Sequence, residues 1–373
     1  MNLSPEDQLR LNVLLAHDLA AIRIDESAMV VHALSPDGEA RVTLSPNCRA
    51  GQYLKQVREL FSNHALGSPG GYPVFLQRWT RMGQHRDGQL DKLLLLGEPE
   101  AVVAVAGAAG LTPELARRVW WLTPDSDTAR RMLERDAVVA SDIGREIAAF
   151  LVDHLAFEDD PMTVITSIRL VLQPGLIAAE VRRRIWSRAI HRNLYYKLGF
   201  LEAQPDALPA TAAARSVDAA DTIASLAGAG NPLAILLRRV LAAEGQAYLA
   251  VIEELLEHPT DKFTAAVLFN NLGRYFAGVR HLANETVAVE QLLGTPGRLP
   301  ATPAPELTMV LEAAPSLRGT IAAVLALSRV DEGFATPILA KTSASGTLLR
   351  RKLEPVTQLL RPVLSILRSG PGK

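Results

Sequence analysis

Cysteine is nearly absent: Cys48 is the only one in 373 residues. An internal disulfide is therefore excluded, and with it a disulfide-stapled secreted scaffold. Aromatics are scarce at 5%, which together with abundant Ala and Leu tilts the chain towards helix. No apolar run approaches the ~18 residues that a membrane span needs; the longest, Ala101–Leu111 and Ile321–Leu327, fall short. An excess of either charge is missing too. At a net charge of −1 the molecule as a whole exerts no pull on nucleic acid or on an anionic membrane, so any such binding must be local. The start, Met1-Asn2-Leu3-Ser4-Pro5-Glu6-Asp7, lacks the basic and apolar regions of a signal peptide. These absences give the expectation of a soluble, cytoplasmic protein with no membrane partner.

Motifs for cofactors are missing as well. The eight histidines stand singly, none at zinc-site spacing from Cys48 or from another histidine. Neither a P-loop nor a dinucleotide-binding GxGxxG is present. The expectation is a protein with no cofactor, no metal and no catalytic residues, hence not an enzyme.

What is there is a globular composition, 48% hydrophobic and 21% charged, in a chain longer than one typical domain. Ser4-Pro5-Glu6 supplies an N-cap, a proline at the first helical position and an acid in the first turn, predicting a helix to about His17. A small β unit follows, with Ile22 and Ile24 alternating with polar residues, a β-rich run Met29–Leu34, and Ala40, Val42 and Leu44 alternating again. Ser35-Pro36-Asp37-Gly38 is a turn between the last two. From Leu90 onward short helices are punctuated by capping residues and prolines, as in Leu111-Thr112-Pro113-Glu114 and Asp159-Asp160-Pro161.

The stretch Gln204–Arg215, with Pro205, Pro209 and an alanine run, reads as a linker and sets a boundary between an N-terminal α+β domain, 1–204, and an all-helical domain, 216–373. Beyond it, apolar residues from Leu233 to Leu256 recur at three- and four-residue steps as one helix that ends at His258-Pro259. Phe263–Val279 and Leu282–Leu293 continue the helical pattern, and Leu348–Leu367 is amphipathic but interrupted by Pro355 and Pro362. The fold class expected is mainly α, with a small antiparallel β meander packed on a layered or HEAT-like helical body.

Three features are candidate sites. Gly67–Gln84 joins a glycine- and proline-rich turn to an arginine- and tryptophan-rich segment. There Gly70 and Gly71 can shape the backbone, Arg78 and Arg81 can pair with anions or carboxylates, and Trp79 can anchor a partner. A structural loop is the bland alternative. In Glu180–Lys197, Arg184, Arg188 and Arg192 form one helical stripe that closes on Tyr195 and Tyr196. Cations beside aromatics suit single-stranded nucleic acid, giving an alternative of regulatory RNA binding, while a solvated polar face or a protein partner explains the same pattern. Cys48, flanked by Arg49, offers a third reading as a sulfur carrier, against that of an ordinary small residue.

The strings Leu3-Ser4-Pro5-Glu6-Asp7-Gln8-Leu9-Arg10-Leu11-Asn12, Ala21-Ile22-Arg23-Ile24-Asp25-Glu26-Ser27, the Gly67–Gln84 stretch, Leu95-Leu96-Gly97-Glu98-Pro99-Glu100-Ala101-Val102 and Leu172-Gln173-Pro174-Gly175-Leu176 resemble the DsrS family. That family is encoded with the dissimilatory sulfite reductase genes of sulfur-oxidising bacteria, and the likeness lies mainly in the first 205 residues. It implies a cytoplasmic accessory or regulatory protein of sulfur oxidation that acts through protein partners. It carries no active-site motif to any residue of this chain.

Overall fold

The computed structural model describes residues 3–67, 90–189, 194–283, 287–295 and 297–369. The protein is mainly helical, as expected: 67% helix, with 20 α-helices and one three-stranded antiparallel sheet among the described residues. It divides into two compact units, residues 1–156 with 173–177, and residues 157–172 with 178–373.

In the first unit, α1 (Pro5–Leu15) begins where the Ser4 hydroxyl accepts from the Asp7 N–H at 3.3 Å, with Pro5 in the first turn. The meander follows as β1 (Ala21–Asp25), β2 (Val30–Ser35) and β3 (Gly38–Thr43), in the order β1-β2-β3. Ile22, Val31 and Ala33 share one face of the sheet and are buried against Leu11 of α1 and Tyr53, Val57 and Phe61 of α2 (Ala50–Leu66). That burial is what a three-stranded sheet needs to be stable. The short helices α3 (Leu90–Leu93), α4 (Pro99–Ala106), α5 (Pro113–Leu122), α6 (Ser126–Leu133), α7 (Asp136–Val139) and α8 (Asp142–His154) complete the unit. The free edge of β1 meets the segment after α3, where the Ile22 N–H donates to the Leu94 carbonyl at 2.9 Å.

All the regular structure described in the second unit is helical. It runs α9 (Pro161–Val171), α10 (Ala179–Ala189), α11 (Leu194–Ala203), α12 (Ala220–Gly228), α13 (Pro232–Leu241), α14 (Ala243–Glu257), α15 (Lys262–Phe276), α16 (Val289–Gly294), α17 (Pro305–Ala313), α18 (Arg318–Leu327), α19 (Glu332–Leu339) and α20 (Gly346–Ser369). Asp160 caps α9 by accepting from the Thr163 N–H at 2.8 Å, as its place before a proline suggests.

Several boundaries differ from those the periodicity predicts. The single helix from Leu233 to Leu256 is two, α13 and α14, broken at Ala242, whose ψ is 161°. The apolar repeat stays in phase across the break, so hydrophobicity carries no sign of it. At the break the two helices come to backbone contact: a Cβ on Gly245 would stand 2.2 Å from the Arg239 carbonyl oxygen. Of the basic stretch Glu180–Lys197, the described residues belong to α10 and α11, on either side of 190–193, which lie outside the described residues. Leu282–Leu293 is not one helix; a 3-10 segment, Ala277–Leu282, precedes α16. Pro355 and Pro362, by contrast, do not interrupt α20. Both are exposed, on the side where a carbonyl that loses its N–H donor can turn to water, while Leu353, Leu360, Val363 and Leu364 hold the opposite face in the core.

The proline-rich stretch 204–215 falls inside the second unit and is tied down at both ends. Asp206 receives two hydrogen bonds from Arg239, at 2.6 and 2.7 Å. Arg215 donates its backbone N–H to the Leu241 carbonyl at 2.8 Å. Its guanidinium reaches the carbonyls of Ile366 and Leu367 at 2.7 and 3.0 Å, and the Thr320 hydroxyl at 3.2 Å. Carbonyls in the last turn of a helix have no partner within it, and here an arginine supplies one.

The tightest backbone approach in the unit is at Gly273 of α15, where a Cβ would lie 1.7 Å from the Val330 carbonyl oxygen after α18. No side-chain rotation relieves a clash with backbone. Gly273→Ala is expected to cost about 3 kcal/mol or to prevent folding, read as a lowered urea midpoint; an unchanged midpoint contradicts this packing.

Candidate functional site

Of the residues singled out in the sequence, Gly70, Gly71, Arg78, Trp79 and Arg81 lie outside the described residues, and so does Arg192. The structure describes the approach to the glycine-rich stretch: α2 ends at Gly67, whose φ of 63° forms a left-handed cap, with its N–H donated to the Asn63 carbonyl at 3.0 Å.

The basic surface of α10 is well defined. Ile185, Trp186 and Ala189 point inward and are buried, so Arg183, Arg184, Ser187 and Arg188 are left exposed on the other side. Trp186 meets Phe200 edge to face, with ring centres 5.0 Å apart, and Lys197 lies 5.9 Å above the indole. Lys197 is itself buried and paired with Glu254. Arg182 is half-buried, its Nε bonded to the Gln204 side chain at 3.0 Å. Arg188 hydrogen-bonds Tyr196, a buried tyrosine whose pKa is raised by desolvation against the opposing pull of that cation. Neither Arg183 nor Arg184 has an ion-pair partner among the described residues. Glu180 is the single acid in α10. The helix thus presents unneutralised, planar hydrogen-bond donors to the outside, and the aromatics that would stack a base are mostly inside: Trp186 and Tyr196 are buried and Tyr195 is half-buried.

Cys48 is half-buried and packs at the edge of the meander core, its Sγ 3.8 Å from the Arg49 carbonyl oxygen. Among the described residues no group of three or more His, Cys, Asp or Glu side chains could hold a metal ion. No single described helix is long and apolar enough to cross a membrane.

Two buried polar networks escaped the sequence reading. Asp7, which looks like an ordinary first-turn acid, is 0% exposed. Its Oδ2 accepts from the Ser45 N–H at 2.7 Å and from the Tyr53 hydroxyl, which in turn receives the Ser4 N–H at 3.2 Å. In the second unit Arg239 lies 3.8 Å over the Tyr275 ring, and Tyr275 stacks on Tyr248 with centroids 3.9 Å apart. The Tyr248 hydroxyl donates to the Asn271 carbonyl at 3.1 Å. The only signal in the sequence is polar residues on otherwise apolar helix faces, which one chain does not separate from surface positions.

No family model, curated protein or solved structure matches the chain.

Burial raises the pKa of Tyr53, Tyr248 and Tyr275 above the ordinary tyrosine value. An unfolded chain therefore releases these phenolic protons at lower pH than the folded one. Their contribution to stability is complete below about pH 10, the unfolded value, and falls as pH rises towards the folded values. Urea unfolding is expected to show a steady loss of stability above about pH 10, shallower in Tyr275→Phe; a flat profile there contradicts the burial of these rings.

Proposed function

We propose that this chain is a non-catalytic accessory protein of cytoplasmic dissimilatory sulfur oxidation, and that it works by docking partner proteins on the arginine face of α10. The observation that carries the docking is the set of exposed guanidinium groups within two turns of a helix whose other face is anchored by Ile185, Trp186 and Ala189. Arginine forks match carboxylates two bonds at a time, and a rigid base lowers the entropy lost on binding. The chemistry that fits is an acidic protein surface. The metabolic setting comes from the resemblance of the N-terminal strings to the DsrS family.

The same arginines would attract a phosphate backbone, but stacking platforms for bases are poor here because Trp186 and Tyr196 are buried. A protein is therefore the favoured partner over RNA.

A photo-crosslinking residue at Ser187, exposed between Arg184 and Arg188, tests this in extract from the native host. Adducts are expected to be proteins with acidic surfaces, resistant to nuclease, and weakened about tenfold or more by Arg183→Glu with Arg184→Glu. Adducts consisting only of RNA, or protein adducts indifferent to the charge reversal, overturn the reading.

A further inference from the structure

The β meander ends in an edge strand, β3, whose outer side has no backbone partner among the described residues. β3 pairs with β2 on one side through the register Ala33↔Ala40 and Val31↔Val42, closed by the tight turn at Ser35↔Gly38. In such a hairpin the backbone groups of alternate residues point inward. Gly38, Ala40 and Val42 therefore bond to β2, and Glu39, Arg41 and Thr43 turn their N–H and C=O groups outward. Leu44, on the inward set, confirms the phase by donating to the Met29 carbonyl at 2.8 Å.

The core face of the sheet is also incomplete at this edge. Val31 and Ala33 on β2 are fully buried, whereas Ala40 is exposed and Val42 half-buried. Beside them Leu9 and Val13 of α1 stand 66% and 56% exposed. Together with Leu14 these residues line an open groove of ≈ 470 Å³ between α1 and β3. An apolar strip along a strand edge that has no backbone partner among the described residues is what proteins normally cover or charge to avoid association.

We propose that β3 pairs antiparallel with β3 of a second copy of the chain, joining two meanders into one six-stranded sheet. The charges of the strand select the occupant and the register. Outward-facing residues must oppose outward-facing residues, which leaves a short list of symmetric alignments. Centring on Glu39 sets Glu39 against Glu39, and centring on Arg41 sets Arg41 against Arg41. Centring on Ala40 sets Glu39 of each copy opposite Arg41 of the other, twice. Opposite charges directly across a pair of strands stabilise it and like charges destabilise it. In the single chain Glu39 Oε1 bonds to His32 at 2.9 Å and lies 4.0 Å from Arg23, and the carboxylate stays about half exposed. A two-fold axis through Ala40, normal to the sheet, keeps both α1 helices on the same face, so the two apolar grooves become continuous.

Sedimentation velocity of the full chain, from dilute solution to about 1 mM, tests the pairing. The wild type is expected to approach twice its monomer mass as concentration rises. Glu39→Arg alone and Arg41→Glu alone each place like charges across the axis, raising the dissociation constant about tenfold or more. Two restorations follow only from this register: the double variant Glu39→Arg with Arg41→Glu dimerises again, and so does an equimolar mixture of the two single variants. Circular dichroism on each variant separates loss of pairing from loss of fold. A wild type that stays monomeric throughout, a dimer indifferent to either reversal, or reversals that fail to complement each other would overturn the proposal. An extended segment of another protein as the true occupant of this edge shows itself as the first of these outcomes.

Discussion

A carboxylate sealed from water needs hydrogen-bond donors, and Asp7 finds them for its Oδ2 in two other parts of the first unit, while its Oδ1 has none among the described residues. Through one oxygen it holds the backbone of Ser45, just past the end of β3, and the hydroxyl of Tyr53 on α2. Ser4, one turn back on the same helix, closes the circuit with its own N–H to Tyr53. The consequence is geometric. Once Asp7 is fixed, α1 can lie in only one place beside the meander. The residues four apart on its outer side, Leu9 and Val13, then stand beside the free edge of β3. A slide of α1 by one turn would bury other side chains and dissolve the groove, so the surface at that edge depends on a bond made in the interior.

The second unit uses the same device with opposite charge. Arg215 and Arg239 carry guanidinium groups into places where carbonyls lack partners, and each secures one end of a stretch that has no regular structure of its own. Burial of Arg215 disfavours its charged form, and the carbonyls of α20 offset that desolvation, as the negative end of a helix favours a cation. Elsewhere the unit relies on helices brought to backbone contact, as at Gly245 and Gly273. Polar pins and close glycine contacts both fix position rather than supply bulk stabilisation.

This division explains what the sequence made legible. Caps, prolines and alternation are local, and they located α1, the meander, α5 and α9 because each signal acts within a few residues of the element it specifies. The continuity of α20 through two prolines and the docking of residues 204–215 depend on contacts made far along the chain. The bond from Arg215 to Leu367, for instance, spans 152 positions. Nothing local distinguishes Asp7 from any other acid in a first turn. On α10 the stripe of Arg184 and Arg188 was readable from a four-residue step, and so was the apolar arc opposite it that holds Trp186; periodicity did not show that Tyr196 turns inward as well, and the proposed preference for a protein partner rests on that placement.

The claim at the centre of this account is that the carboxylate of Asp7 and the phenol of Tyr53 act as one unit in placing α1. A double-mutant cycle on folding stability, with Asp7→Asn, Tyr53→Phe and the pair, measures that coupling directly. The account predicts that the combined variant loses scarcely more than the worse single one, leaving a coupling energy of about 1–2 kcal/mol. Penalties that simply add would contradict it.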